Sequence, residues 1–340
     1  MIRQHHIRPA ANGFLKQPFG GIVISNAFTS LGSCIQQLLQ GWLAVAWGHS
    51  VLFLLVFGAA RILPKVALTL PAGIICDRIS RRRVLVTCRL LNCVASLLPL
   101  LGFLLPVPLA WLMAGIALGG ALHAFDLPAG RALLGDLTPV EQLQPAVALN
   151  NAGSHLAALA GPPLAFLLGP FGLIAAAILY AGASAVGARL PEGVGSLVSP
   201  AEGGVDGLVR YARASPAVSG LALLSIAPGL VDKGVVLLVP SFASGAGTVS
   251  AALLAPEIGG LTAALLISLC RLRYGPASIA ISAVFYLILV LASFQFSYEP
   301  EALIAGLALA GAAKLAFNTT SQTTLQASVP SGLRGRVFAF

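Results

Sequence analysis

Gly73-Ile74-Ile75-Cys76-Asp77-Arg78-Ile79-Ser80-Arg81-Arg82-Arg83-Val84-Leu85 decides how this chain is read. One acid and four arginines stand within seven residues, between two apolar runs, in a chain where only 9% of residues are charged. The leading glycine, the acid and the basic cluster predict a tight cytoplasmic turn between two membrane-spanning helices.

Composition supports that reading. Soluble domains carry roughly 25% charged residues, whereas 57% of these 340 residues are hydrophobic and the mean hydropathy is +0.91. Apolar runs of about 20 residues, long enough to span a bilayer, recur along the chain. In lipid, backbone groups must be satisfied internally, so such runs are helices unless they close a barrel. Barrel strands alternate apolar and polar side chains over about ten residues, and runs such as 97–105 do not. The fold class is therefore an all-α polytopic membrane protein.

Ten spans are predicted, at 19–46, 51–75, 84–105, 108–133, 142–168, 171–190, 217–242, 248–270, 276–296 and 302–327. Lys and Arg are missing from the connections near 48–50, 106, 169–170, 244–247 and 299. They fill the alternate ones, at Arg78 to Arg83, Arg131, Arg189 to Arg213, and Arg271 with Arg273. Positive charge of this kind marks the cytoplasmic side, so both termini are expected inside and the protein in the inner membrane. The same placement assigns the net charge of +9 to topology and argues against a nucleic-acid partner. Residues 1–18 lack an early apolar core followed by a cleavage site and are read as a cytoplasmic tail. The Gly- and Pro-rich segment 191–216 is read as a cytoplasmic linker. It separates a six-helix bundle, 19–190, from a bundle of four, 217–340, the layout of a two-bundle transporter.

No metal site, cofactor or enzymatic centre is expected. The five cysteines, Cys34, Cys76, Cys88, Cys93 and Cys270, have no ligand-like spacing with histidine. Phosphate-binding loops, dinucleotide fingerprints and nucleophile–base pairs are absent from the sequence.

The 73–85 stretch resembles the signature loop of the major facilitator superfamily, G-x-L-x-D-R-x-G-[RK]-[RK]-x-x-[LI]. Gly73, Asp77, Arg78, Arg81, Arg82 and Leu85 match; Ile75 and Ser80 are substitutions. Other stretches resemble its enterobactin-exporter-like or transmembrane secretion effector branch. These are Gln40-Gly41-Trp42-Leu43, Phe125-Asp126-x-Pro128-Ala129, Ala148-Leu149-Asn150, Gly161-Pro162 and Val329-Pro330-x-x-Leu333-Arg334-Gly335-Arg336-Val337. Gly130 stands where relatives carry arginine, with Arg131 after it, and Ala158, Ala165 and Phe166 replace an arginine and two glycines of the antiporter motif. Against twelve expected spans, the last two are read as missing.

The resemblance implies a secondary transporter, with proton-coupled efflux of a small organic molecule, siderophore-like or drug-like, as the expected activity. The proton, the substrate and the lipid bilayer are its expected partners. The alternative is a truncated, non-transporting membrane protein that serves as a binding or assembly partner. Gly73, Asp77, Arg78, Arg81 and Arg82 are expected to form a cytoplasmic latch, with Asp126 within reach of it. For Arg82 the alternative is a topology signal touching anionic headgroups, each such contact worth about 1 kcal/mol.

Charges inside spans cost at least about 2.5 kcal/mol each on insertion scales, so they should face a wet cavity or an opposite charge. Arg61 and Lys65 lie one turn apart, and Asp232 stands beside Lys233. Lys314 and Asn318 begin a polar stripe on the tenth span, and Gln36 and Gln40 lie on the first. These eight residues are the candidate translocation path.

Overall fold

The computed structural model describes residues 18–47, 51–104, 109–191, 215–242, 246–270, 277–295 and 298–329. Most of the tail and the linker, and the motif after Val329, lie outside the described residues. The side chains of Asp77, Arg78 and Lys233 do as well.

The described chain is helical and contains no strand. Its helices are α1 (Pro18–Trp47), α2 (Val51–Arg78), α3 (Arg81–Leu104), α4 (Leu109–Leu137), α5 (Leu143–Leu168), α6 (Gly172–Ala188), α7 (Pro216–Phe242), α8 (Ala246–Leu269), α9 (Ala277–Gln295) and α10 (Pro300–Ser328). At about 1.5 Å per residue, the 30 residues of α1 exceed the roughly 30 Å of a hydrocarbon core. Seven stretches among the described residues are long and apolar enough to cross a membrane. One of these, Val140–Ala188, contains both α5 and α6.

The charged stretch that opened the sequence analysis becomes a turn of two residues. Ile79 N–H still donates to the Ile75 carbonyl at 2.9 Å, and Val84 N–H donates to the Ser80 carbonyl at 3.1 Å. The 169–170 connection is equally tight: Gly169 has φ 52°, a left-handed conformation that glycine adopts without strain, and a single 3-10 turn leads into α6.

Polarity is distributed as lipid requires. Large apolar side chains face outward, among them Ile62, Leu63, Trp111, Phe166, Leu167 and Leu291, while Arg81, Arg89, Gln36, Gln40 and Asn92 are buried. In α1 to α6, α1 packs against α5 and α6, and α4 against α2 and α3. Phe19, Ile22, Leu85, Leu133 and Val147 form the core there. A second core, around Val239, Tyr286, Leu303 and Leu307, joins α7 to α10. The two groups meet where α5 packs on α8 and α10.

Candidate functional site

Asn26, Ser30, Ser33 and Gln37 of α1 are spaced so that helical geometry stacks them on one face. That face borders a cavity of about 320 Å³. Asn150, Asn151 and Ser154 of α5 line the opposite wall, His123, Asp126 and Arg131 of α4 close one side, and Arg89 of α3 reaches in between. Asn26 Nδ2 donates to Asn150 Oδ1 at 2.7 Å. Gln37 Nε2 donates to Ser33 Oγ at 2.7 Å, and the hydroxyls of Ser30 and Ser154 lie 3.3 Å apart.

At the base of the cavity Arg89 Nε donates to Asp126 Oδ1 at 2.8 Å, with the two side chains 1% and 8% exposed. The guanidinium also donates to Asn26 Oδ1 at 2.6 Å and to Ser25 Oγ. A buried charge is tolerated when it is paired and hydrogen-bonded, and this one is satisfied from α1 and α4 together. Arg89 is a site residue that the sequence reading missed. The signal was available: it is the one charge inside the otherwise apolar span 84–105, and such a residue is a functional candidate by default.

The carbonyl of Phe125, the residue before Asp126, accepts from Cys76 Sγ within the 73–85 stretch at 3.7 Å. Arg89, the partner of Asp126, lies eight residues beyond Arg81, about 12 Å further along α3. Another acid meets the loop, Asp136 in the last turn of α4. It pairs with Arg81, whose side chain is fully buried. Arg82 Nη1 donates to the Leu190 carbonyl just beyond α6, at 2.9 Å. The loop thus ties the start of α3 to the ends of α4 and α6. Gly73 is buried in α2.

None of the expected path residues with a described side chain lines this cavity. Gln36 accepts from Tyr180 Oη at 2.8 Å in a buried interhelical bond, and Gln40 accepts from Arg61 Nη1 at 3.0 Å in a partly buried one. Lys65, one turn along α2 from Arg61, is half-buried. Lys314 of α10 pairs with Asp232 of α7, and Asn318 is exposed.

Three polar contacts join α4 and α5 to α8 and α10. His155 Nδ1 and Glu257 Oε2 are 2.7 Å apart, Asn151 Nδ2 donates to Thr319 Oγ1 at 3.3 Å, and Gln326 Nε2 donates to the Arg131 carbonyl at 3.1 Å. Among the described residues no three His, Cys, Asp or Glu side chains gather as a metal site requires.

A major facilitator family model described as transmembrane secretion effector matches residues 10–340. No curated protein sequence matches the chain. Solved structures share the fold. The E. coli fucose:proton symporter aligns with a TM-score of 0.75 at 12% identity, covering 95% of this chain and 87% of that one. An outward-facing bacterial homologue of the iron transporter ferroportin aligns with a TM-score of 0.73 at 15% identity, with the same coverage of 95% and 87%. The human organic anion transporter TETRAN gives 0.58 at 16%, again covering 95% and 87%. At these identities the likeness establishes the fold, and the family model establishes descent. The chain is a multi-pass membrane transporter and not an enzyme, and it belongs to the transmembrane secretion effector family of the major facilitator superfamily.

Proposed function

We propose that this transporter exports a small organic molecule, siderophore-like or drug-like, across the inner membrane, driven by the proton gradient. The observation that carries the reading is the cavity itself. Some 320 Å³ walled by amides, hydroxyls and charged groups has no packing purpose inside apolar helices, where each unmet polar group costs several kcal/mol. Alternating access would rock α1–α6 against α7–α10 around it, opening and closing the contacts of α5 with α8 and α10.

Proton coupling is supported by His155 and Glu257, an ionisable pair that joins α5 to α8. One structural neighbour is itself named a proton symporter. The Arg81–Asp136 pair and the Arg82–Leu190 contact support the loop of Gly73, Asp77, Arg78, Arg81 and Arg82 as a latch on the cytoplasmic side. The positive-inside rule supports that orientation.

Flux in proteoliposomes tests the reading. A substrate panel should give counterflow above empty vesicles that grows with an imposed pH gradient and collapses with a protonophore. Absence of flux for every member would overturn the transporter reading. Flux indifferent to the gradient would remove the proton from it.

A further inference from the structure

We infer that the cavity selects a small hydrophilic organic anion, a carboxylate on a hydroxyl- or amide-bearing body, with the Arg131 guanidinium as its counter-charge. The inference rests on the transporter reading and narrows its substrate class.

The argument is a charge balance. Four acids inside the described helices are already paired: Asp126 with Arg89, Asp136 with Arg81, Asp232 with Lys314 and Glu257 with His155. Arg89 spends its donors on Asp126, Ser25 and Asn26, so that pair is internally neutral. Arg131 lines the same cavity, and its guanidinium makes no hydrogen bond or ion pair among the described residues. A cation shut away from water without a partner is costly, and a water-filled cavity or an arriving anion relieves it. A guanidinium grips a carboxylate through two parallel N–H donors.

The rest of the wall says what the anion is attached to. The wall around Arg131 carries amides and hydroxyls together with the His123 imidazole, the paired Arg89 and Asp126, Cys34 and a few aliphatic groups, with no Phe, Tyr or Trp among them. Such a wall offers hydrogen bonds to hydroxyls and amides and no large aromatic platform. The volume lies at the lower end of ligand sites, about 300–1,000 Å³. The Arg131 carbonyl accepts from Gln326 of α10, so the residue that holds the anion also stands at a junction between the helix groups.

The test is thermal unfolding of the purified full-length chain in detergent, at matched ionic strength. Gluconate, glucuronate and N-acetylneuraminate are compared with glucose, N-acetylglucosamine and glucosamine. The anions should raise Tm by several degrees; the neutral and cationic sugars should not. Arg131→Gln should weaken anion binding at least about tenfold, and Arg131→Lys should retain part of it. Equal stabilisation by neutral sugars, no stabilisation by any anion, or full binding by Arg131→Gln would each overturn the inference. If that variant does not fold, the contrast between anions and neutral sugars on the unaltered protein decides. Flux of a neutral substrate without anion binding would leave the transporter reading standing and remove this one. Anion binding without flux would do the reverse.

Discussion

Arg89 and Asp126 form the pair on which the cavity floor depends, and their burial makes a sharp prediction. Removing one partner of a buried ion pair costs about 3–5 kcal/mol because the other charge is stranded, whereas replacing both by apolar residues is often tolerated. Arg89→Met and Asp126→Leu should each lower the melting temperature in detergent by several degrees, and the double variant should lose less than either single one. Losses that simply add would mean the two side chains do not interact. Arg89 could have been identified from sequence, since a lone arginine in an apolar span has few structural excuses. Its partner could not, because partnership depends on how helices are rotated against one another. Adjacent residues on a helix point about 100° apart, and that rotation sorts Gln36 from Gln37. The first bonds to Tyr180, while the second faces the cavity. Gln36 and Gln40, expected on the path, point into interhelical bonds; the neighbouring stripe of Asn26, Ser30, Ser33 and Gln37 borders the cavity.

At the scale of elements, the helices were legible because an apolar run of spanning length bounded by charge has one solution in lipid. The ends were legible only in part. α2 runs on to Arg78 and α4 to Leu137, past the expected 75 and 133, where charged side chains reach out of the apolar layer and Arg81–Asp136 holds the extended α4. Packing between helices was not legible, since it turns on which glycines meet a neighbour. A Cβ on Gly259 of α8 would lie 1.7 Å from the Ala308 carbonyl oxygen of α10, and one on Gly311 of α10 would lie 2.1 Å from the Pro256 carbonyl oxygen of α8. Small residues let transmembrane backbones approach this closely. Gly259→Ala and Gly311→Ala must therefore push the two helices apart, with an expected overpacking loss of about 1–3 kcal/mol. Gly58→Ala in α2, where a Cβ meets nothing within 4 Å, should be neutral or gain up to about 1 kcal/mol from helix propensity. Melting curves of the three variants check the contrast. Equal behaviour would show that α8 and α10 are not interlocked.

For the whole molecule, the question is whether the seam between α1–α6 and α7–α10 opens during transport. It is closed by side chains, through His155–Glu257, Asn151–Thr319 and Gln326 to the Arg131 carbonyl. Interhelical hydrogen bonds in membranes average about 0.6 kcal/mol, close to thermal energy, so contacts of this size can break and re-form in every cycle. A covalent link at the same place cannot. Asn151→Cys with Thr319→Cys, introduced after replacing Cys34, Cys76, Cys88, Cys93 and Cys270, should cross-link under mild oxidation because the parent side chains stand 3.3 Å apart. Oxidation should stop flux and a reductant should restore it, while the cysteine-free parent and both single-cysteine variants remain indifferent to either treatment. Cross-linked protein that transports at the parent rate would mean this seam stays shut throughout the cycle, and the moving surface would have to be sought away from α5 and α10.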